Sequence, residues 1–272
     1  MVLINGKPGD SVNAQDRGLH YGDGVFETIA VHQGKLLCWD KHYARLNLGC
    51  QRLNIPCPEQ SLLHEESRQV ISDNKAVIKI ILTRGAGGRG YNPHGDFEST
   101  RIVAGYDWPE YPDRLASEGV KVRICNIRLG SNPELAGIKH LNRLEQVMAR
   151  GEWTDAEISE GLMLDQGDNI IEGTMSNIFI VNQQTLVTPD LSRCGIQGVM
   201  RQCVIELAPK LGIDTEIRDI TLADLTSAEE AFLCNSTFGI WPVRDLDGQK
   251  INMGPNTQKI REMLLQNGLI CE

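Results

Sequence analysis

The 272-residue chain lacks most features that mark a specialised class of protein. Basic residues are in the minority, 27 Lys and Arg against 36 Asp and Glu, for a formal charge of −9. A nucleic-acid binder shows a basic excess, and so does a protein that docks on anionic lipid, so no nucleic-acid or membrane partner is expected. Long apolar runs are missing. The longest, Ala76 to Leu82, is interrupted by Lys79 and falls far short of the ~20 residues of a membrane span. Met1-Val2-Leu3-Ile4-Asn5-Gly6 has neither a basic region nor a sustained apolar segment, so no secretory signal is expected. The 8 cysteines never stand as Cys-x-x-Cys, and the 6 histidines show no ligand spacing. Most cysteines lie in apolar stretches such as Leu36-Leu37-Cys38 and Phe232-Leu233-Cys234. This pattern predicts reduced thiols of a cytoplasmic protein, and no metal site.

What is present is an ordinary globular composition, 41% hydrophobic and 23% charged, long enough for two domains at about 150 residues each. Val25 to Val31 reads as a strand, followed by the turn pair Gln33-Gly34. Tyr43, Leu46, Cys50 and Leu53 recur at helical spacing after Asp40, a candidate N-cap. A second helix is expected over 59–72, and strands over 77–82 and 101–106. Asp107-Trp-Pro-Glu-Tyr-Pro-Asp113, with two prolines, then changes the texture. Beyond it, strands over 120–125, 161–164, 177–181 and 231–234 alternate with helices over 140–153, 198–211 and 255–266. The expectation is a mixed α/β (α+β) chain: an N-terminal α/β domain over 1–106, a linker over 107–118, and a C-terminal α/β domain over 119–272.

Gly85-Ala-Gly87-Gly-Arg-Gly90 has the spacing of a dinucleotide fingerprint and follows a strand. A dinucleotide site also needs a helix whose first N–H groups face the pyrophosphate. Tyr91-Asn92-Pro93-His94-Gly95 cannot begin one, so that reading is rejected. Two readings stay open for the loop: a backbone that approaches a ligand closely between Arg84 and Arg89, or a surface loop with solvated arginines.

Leu135 to Met148 is the most informative stretch. Leu141, Leu144, Val147 and Met148 form one apolar helical stripe, with Lys139 expected at the start of that helix. There the positive end of the dipole and apolar neighbours would disfavour the ammonium form. A neutral amine is what Schiff-base chemistry needs. Taken alone, Lys139 would be an ordinary surface lysine.

The segment Gly137-Ile-Lys139-His-Leu-Asn-Arg-Leu-Glu-Gln-Val resembles the active-site segment of the 4-amino-4-deoxychorismate lyases. These belong to the fold-type IV pyridoxal phosphate enzymes, with the D-amino acid and branched-chain aminotransferases. Asp16-Arg17-Gly18-Leu-His-Tyr21-Gly-Asp-Gly-Val-Phe26-Glu-Thr28 is similar to the group's N-terminal signature, and His42-Tyr-Ala-Arg45-Leu46 to its phosphate-arginine helix. Ile171-Glu172-Gly-Thr-Met-Ser-Asn177, Gly195-Ile-Gln-Gly-Val-Met-Arg201 and Asn235-Ser236-Thr237 follow in the expected order. The resemblance covers nearly the whole chain.

It implies the two-domain fold of the D-amino acid aminotransferases and a covalent link between Lys139 and pyridoxal 5′-phosphate. Lys139 would also be the general base, and Glu172 would keep the pyridine nitrogen protonated. Arg45, the N–H groups of Val199 and Met200, and Ser236 or Thr237 would hold the phosphate. Taken alone, Glu172 is an ordinary strand-edge carboxylate and Arg45 an ordinary solvated helix arginine. The implied substrate is 4-amino-4-deoxychorismate, cleaved to 4-aminobenzoate and pyruvate in folate biosynthesis. Thr28 is a candidate for orienting the ring or relaying a proton to the leaving enolpyruvate. Arg84, Arg89 and Arg101 are candidate contacts for the substrate's two carboxylates, and Tyr91 could close the same loop over the site. The resemblance further implies a homodimer. The rival on the same scaffold is a D-amino acid or branched-chain aminotransferase, against which the run from Lys139 to Gln146 and that from Arg84 to Tyr91 are lyase-like.

Overall fold

Alternating apolar residues in the first hundred positions build one sheet, and a second sheet follows after the prolines. The computed structural model describes residues 1–93, 95 and 97–271; His94 of the glycine-rich loop region, Asp96 and the terminal Glu272 lie outside the described residues. The chain divides into two units, one comprising 1–109 with 138–142 and the other 110–137 with 143–272.

The first unit contains β1 (Val2–Ile4), β2 (Lys7–Pro8), α1 (Arg17–Tyr21), β3 (Gly24–His32), β4 (Lys35–Leu36), α2 (Trp39–Leu53), α3 (Gln60–Gln69), β5 (Lys75–Thr83) and β6 (Thr100–Asp107). Its antiparallel sheet runs β2-β1-β6-β5-β3-β4. The register sets Val25 opposite Leu82, Glu27 opposite Ile80 and Ile29 opposite Ile78. Because side chains alternate along a strand, this row faces one side, and its apolar members pack with Leu46 and Cys50 of α2 and Leu63 of α3. Phe26 and Thr28 face the other side, opposite Ile81 and Lys79. Helix α2 carries the expected stripe, but its N-cap is Cys38, in a left-handed conformation. Asp40 sits inside the first turn, where its carboxylate accepts from Gln60 Nε2 at 2.7 Å. No helix follows the glycine-rich loop among the described residues; the next element is β6.

The second unit contains α4 (Arg114–Ser117), β7 (Val120–Leu129), α5 (Leu144–Arg150), β8 (Ile158–Asp165), β9 (Ile170–Gly173), β10 (Asn177–Asn182), β11 (Thr185–Pro189), α6 (Val199–Leu207), β12 (Asp214–Arg218), α7 (Leu222–Thr226), β13 (Glu230–Asn235), β14 (Gly239–Leu246), β15 (Gln249–Lys250) and α8 (Pro255–Gln266). The order in its sheet is β12-β11-β10-β13-β14-β7-β8-β9, with β15 added on β14. The β11–β12, β14–β7 and β7–β8 pairs are parallel and the others antiparallel. Ile178, Ile180, Leu233, Trp241, Val243 and Leu162 make its main core. The fold is thus mixed α/β, as expected from the sequence.

The expected lysine helix also fails. The helix foreseen over 140–153 is only Leu144–Arg150. Upstream, Phe26 N–H donates to Lys139 O at 2.9 Å and Leu141 N–H to Gly24 O at 3.0 Å. His140 and Val25 form an antiparallel bridge. Backbone groups engaged in strand pairing cannot also close helical turns. Lys139 therefore lies in a strand-paired segment, five positions before α5 begins at Leu144, and not in the first turn of a helix.

Candidate active site

The first unit builds a cluster around β3. The 138–142 segment pairs along the Gly24–Phe26 end of that strand, which presents the Lys139 side chain to Phe26: Nζ lies 4.4 Å from the ring centroid. Lys79 reaches the same ring, its Nζ at 5.3 Å, and stands directly across from Thr28 in the β3–β5 register. Two lysine side chains, an aromatic face and a hydroxyl thus share one side of the sheet. The pairing of cations with the ring's negative face keeps both amines beside apolar surface.

On the opposite side, buried Glu27 points to α2. Its carboxylate accepts from His42 Nδ1 at 2.6 Å, Arg45 Nε at 2.8 Å and Arg45 Nη2 at 2.6 Å. His42 and Arg45 are one helical turn apart, so both reach the same strand residue. The helix approaches closely here because Gly49 lies against Val25; a Cβ at Gly49 would come within 2.8 Å of it. Burial pushes the Glu27 carboxyl up, but the Arg45 charge and the hydrogen bonds from Arg45 and His42 outweigh it and hold it at about 2. Burial, assisted by the Arg45 and Lys139 charges, holds the His42 imidazole below its ordinary value despite the Glu27 carboxylate. His42 is therefore neutral, and Nδ1–H is the donor to Glu27. Its Nε2 is buried without a hydrogen-bond partner among the described residues.

The second unit builds a different cluster. Buried Glu172 on β9 accepts from Ile196 N–H at 2.8 Å and from Gln146 Nε2 at 3.4 Å. Its charge also acts on half-hidden Arg143, whose guanidinium burial pushes down and Glu172 supports. The 195–198 turn is held by Gly137 N–H to Gly195 O at 2.9 Å and Gln197 N–H to Gly137 O at 3.1 Å. Asn177 Nδ2 donates to Ile196 O at 2.9 Å. A Cβ at Gly198 would overlap Asn177 Oδ1, so a larger residue has to displace the Asn177 amide that holds this turn. Helix α6 then starts at Val199 with no side-chain cap on its first N–H groups, an arrangement suited to an anion. Ser236 and Thr237 form the turn after β13, where Thr237 N–H and O–H donate to Asn235 Oδ1 at 2.9 and 3.0 Å.

The remaining sequence candidates separate. Arg84 donates to Asp23 Oδ2 and Oδ1 at 2.9 and 3.1 Å and to the carbonyls of Asn54 and Leu53 at 2.9 and 2.7 Å. Arg101 forks onto Glu66 of α3 at 2.6 and 2.7 Å, on the side of the sheet away from Thr28. Both guanidiniums are engaged inside the protein by these acceptors. Arg89 and Tyr91 are exposed in the loop. Sequence reading gave no role to Lys79, Glu27, His42 or Gln146. A lone lysine inside the apolar run 76–82 was the available signal, since a buried strand carries a charge only at a cost.

The sequence pattern of the aminotransferase class IV family matches residues 24–246. The chain belongs to the aminotransferase class IV family. It is 37% identical over 244 residues to the aminodeoxychorismate lyase of Vibrio harveyi, covering 89% of this chain and 90% of that protein. The crystal structure of 4-amino-4-deoxychorismate lyase from Pseudomonas aeruginosa superposes with a TM-score of 0.95 at 45% identity, over 99% of this chain and 100% of that one. The branched-chain amino acid aminotransferase of Escherichia coli is more distant, with a TM-score of 0.85 and 26% identity over 100% of this chain and 96% of that one.

Proposed function

We propose that the protein is a pyridoxal 5′-phosphate-dependent carbon–oxygen lyase that converts 4-amino-4-deoxychorismate to 4-aminobenzoate and pyruvate, a step of folate biosynthesis. The observation that carries this reading is the 45% identity with the P. aeruginosa lyase over 99% of the chain, nearly twice the 26% shared with the aminotransferase.

The residues present fit the cofactor. An uncapped nine-residue helix behind a glycine packed on the Asn177 side chain suits a phosphate, which Val199 and Met200 N–H would bind with Arg45 and Ser236 or Thr237. Buried Glu172 suits a protonated pyridine nitrogen, and the Lys139 amine suits the carbonyl carbon. When bound, the cofactor supplies an electron sink for the carbon that bears the substrate's amine. Lys139 takes the proton from that carbon while the enolpyruvyl oxygen leaves the adjacent one, and the released enolpyruvate takes up one proton at its methylene carbon, with Thr28 as the assigned relay, to give pyruvate. Thr28 orients the ring beside Phe26. Lys79, across from Thr28, and Arg89 are the cations assigned to the two substrate carboxylates, with Tyr91 covering them.

The protein is further read as a cytoplasmic homodimer. Cysteine usage supports the compartment; among the described residues no helix is long and apolar enough to cross a membrane. Self-association is supported by α5, whose Leu144, Val147 and Met148 are 75%, 64% and 62% exposed on one helical face.

The deciding experiment supplies 4-amino-4-deoxychorismate to the purified holoenzyme. Pyruvate and 4-aminobenzoate should appear together, and Lys139→Ala should abolish both along with the visible absorbance of the bound cofactor. Exchange of amino groups between 2-oxoglutarate and D-alanine or a branched-chain amino acid, without pyruvate release from the dicarboxylate, would establish the aminotransferase instead.

A further inference from the structure

The N-terminal signature places a buried arginine that no part of the reaction uses. Arg17 opens α1, whose N-cap Asp16 accepts from Gly18 N–H at 2.7 Å and from the Thr83 hydroxyl at 3.0 Å. The Arg17 N–H donates to Gly85 O at 2.9 Å. From this fixed base its guanidinium sends Nε to Asp23 Oδ2 at 2.8 Å, Nη1 to Gly90 O at 2.9 Å and Nη2 to Tyr91 O at 3.2 Å. Tyr21, at the other end of α1, accepts from Gly90 N–H at 3.1 Å. Its ring meets the Tyr91 ring edge-on at 5.4 Å.

Gly90 is thereby held at both its N–H and its C=O, and the next carbonyl is held as well. This matters because the preceding run, Gly87-Gly88-Arg89, has little intrinsic stiffness: glycines lose the most conformational freedom on ordering. The anchor of the clasp is itself anchored. Asp23 is shared between Arg17 and Arg84, and Arg84 in turn donates to the Leu53 and Asn54 carbonyls at the end of α2. Burial pushes the Asp23 carboxyl up, but hydrogen bonds and charge from Arg84 and Arg17 bring it below its ordinary value, so it is an anion throughout the neutral range.

We infer that Arg17, with Tyr21, is a positioning residue that fixes the Gly90–Tyr91 backbone and through it sets where Arg89 meets a substrate carboxylate. The inference rests on the assignment of Arg89 in the proposed reaction. A planar fork is required, because three acceptors in different directions must be met at once; a lysine ammonium lacks the reach and the fixed angles.

The test uses the holoenzyme of Arg17→Lys, Tyr21→Phe, Arg89→Ala and the Arg17→Lys/Arg89→Ala double variant. Arg17→Lys should raise KM for 4-amino-4-deoxychorismate about tenfold, the equivalent of one charge-assisted hydrogen bond. Its kcat should stay within about twofold and its cofactor absorbance unchanged, and native trypsin should cut after Arg89 faster. Tyr21→Phe, the milder change, should move KM and cleavage in the same directions by about twofold, and carries the test if Arg17→Lys does not fold. The double variant should have the KM of Arg89→Ala alone, since the effect passes through one residue. Unchanged cleavage after Arg89 in both Arg17→Lys and Tyr21→Phe overturns the clasp. An additive double variant overturns its action through Arg89. An unchanged KM in Arg89→Ala overturns the assignment of Arg89 itself, and with it the functional part of the inference.

Discussion

Several carboxylates of the two units are held by different means. In the first, three face guanidinium: Glu27 meets Arg45, Asp23 meets Arg17 and Arg84, and Glu66 meets Arg101, while buried Asp16 accepts from Gly18 N–H and the Thr83 hydroxyl. In the second, Glu160 accepts from Gly161, Thr174 and Met175 N–H and from the Thr174 and Ser176 hydroxyls. Glu230 accepts from Asn256 and Thr257 N–H and the Thr257 hydroxyl, at the start of α8. Among the described residues neither Glu160 nor Glu230 has a salt bridge. An ion pair fixes a side chain in place, whereas a ring of N–H and O–H donors fixes the backbone that carries them. The first unit presents oriented charged side chains, Arg45 through its ion pair and Lys139 and Lys79 against the Phe26 ring. The second presents oriented backbone, the turn into α6 and the turn after β13.

The largest expected effect breaks the first kind of site. Glu27→Ala leaves the Arg45 guanidinium buried without its anion, and loss of one partner of a buried pair costs about 3–5 kcal/mol. Urea denaturation at pH 7 measures it. A cost below about 1 kcal/mol would mean that the Glu27–Arg45 pair behaves like a surface contact, and the contrast between the units would collapse.

The next effect is read from pH. Glu27 is held at about 2 against an ordinary value of 4.5. A depressed carboxyl contributes stability above its unfolded value and loses it as pH falls through the folded one, here of order 3 kcal/mol between about pH 4.5 and 2. Neutral, buried His42 acts with the same sign, starting below its ordinary 6.5. Melting temperatures of the native protein should fall more steeply across that window than those of Glu27→Gln. Parallel curves would show that the pair does not govern acid sensitivity.

The same contrast explains what could be read in the sequence. β3, β5, β10 and β13 and helices α2, α6 and α8 announce themselves by periodicity, because their partners impose one buried face on many residues. Short pieces such as α1, β9 and β12 carry too few residues to show a period. Lys139 stands out by its neighbours in the chain, but its backbone conformation does not: the stripe Leu144, Val147 and Met148 continues back through Leu141, while the strand that pairs with Lys139 and Leu141 lies far earlier in the sequence. Arg84 and Arg101 looked like ligands for an anion because a sequence shows a charge without its partner. Asp23 and Glu66, remote in the chain, already hold them. Lys79 was visible as an interruption in an apolar run, and only the β3–β5 register places it across from Thr28.

The smallest effect tests the second kind of site. Glu160→Gln leaves no cation behind, so it should cost less than Glu27→Ala. It does replace one acceptor oxygen by an amide NH2, which faces donors already aimed at it: the Oε2 side holds Met175 N–H at 3.1 Å and the Ser176 hydroxyl at 2.8 Å. One unmatched cluster of this kind costs about 2 kcal/mol. The consequence should also travel. Met175 O accepts from Asn235 Nδ2 at 3.2 Å, and Asn235 Oδ1 in turn holds Thr237 and Phe238 N–H at 2.9 and 2.8 Å. Loosening the 174–176 turn therefore loosens the Ser236–Thr237 turn assigned to the phosphate. Urea midpoints and pyridoxal 5′-phosphate titration of the apoenzyme read the two effects separately. The expectation is a stability loss below that of Glu27→Ala together with a several-fold weaker cofactor affinity, about 1 kcal/mol. A loss equal to that of Glu27→Ala would show that donors alone do not hold Glu160 differently from an ion pair. Unchanged cofactor affinity would show that the backbone it fixes ends at Ser176.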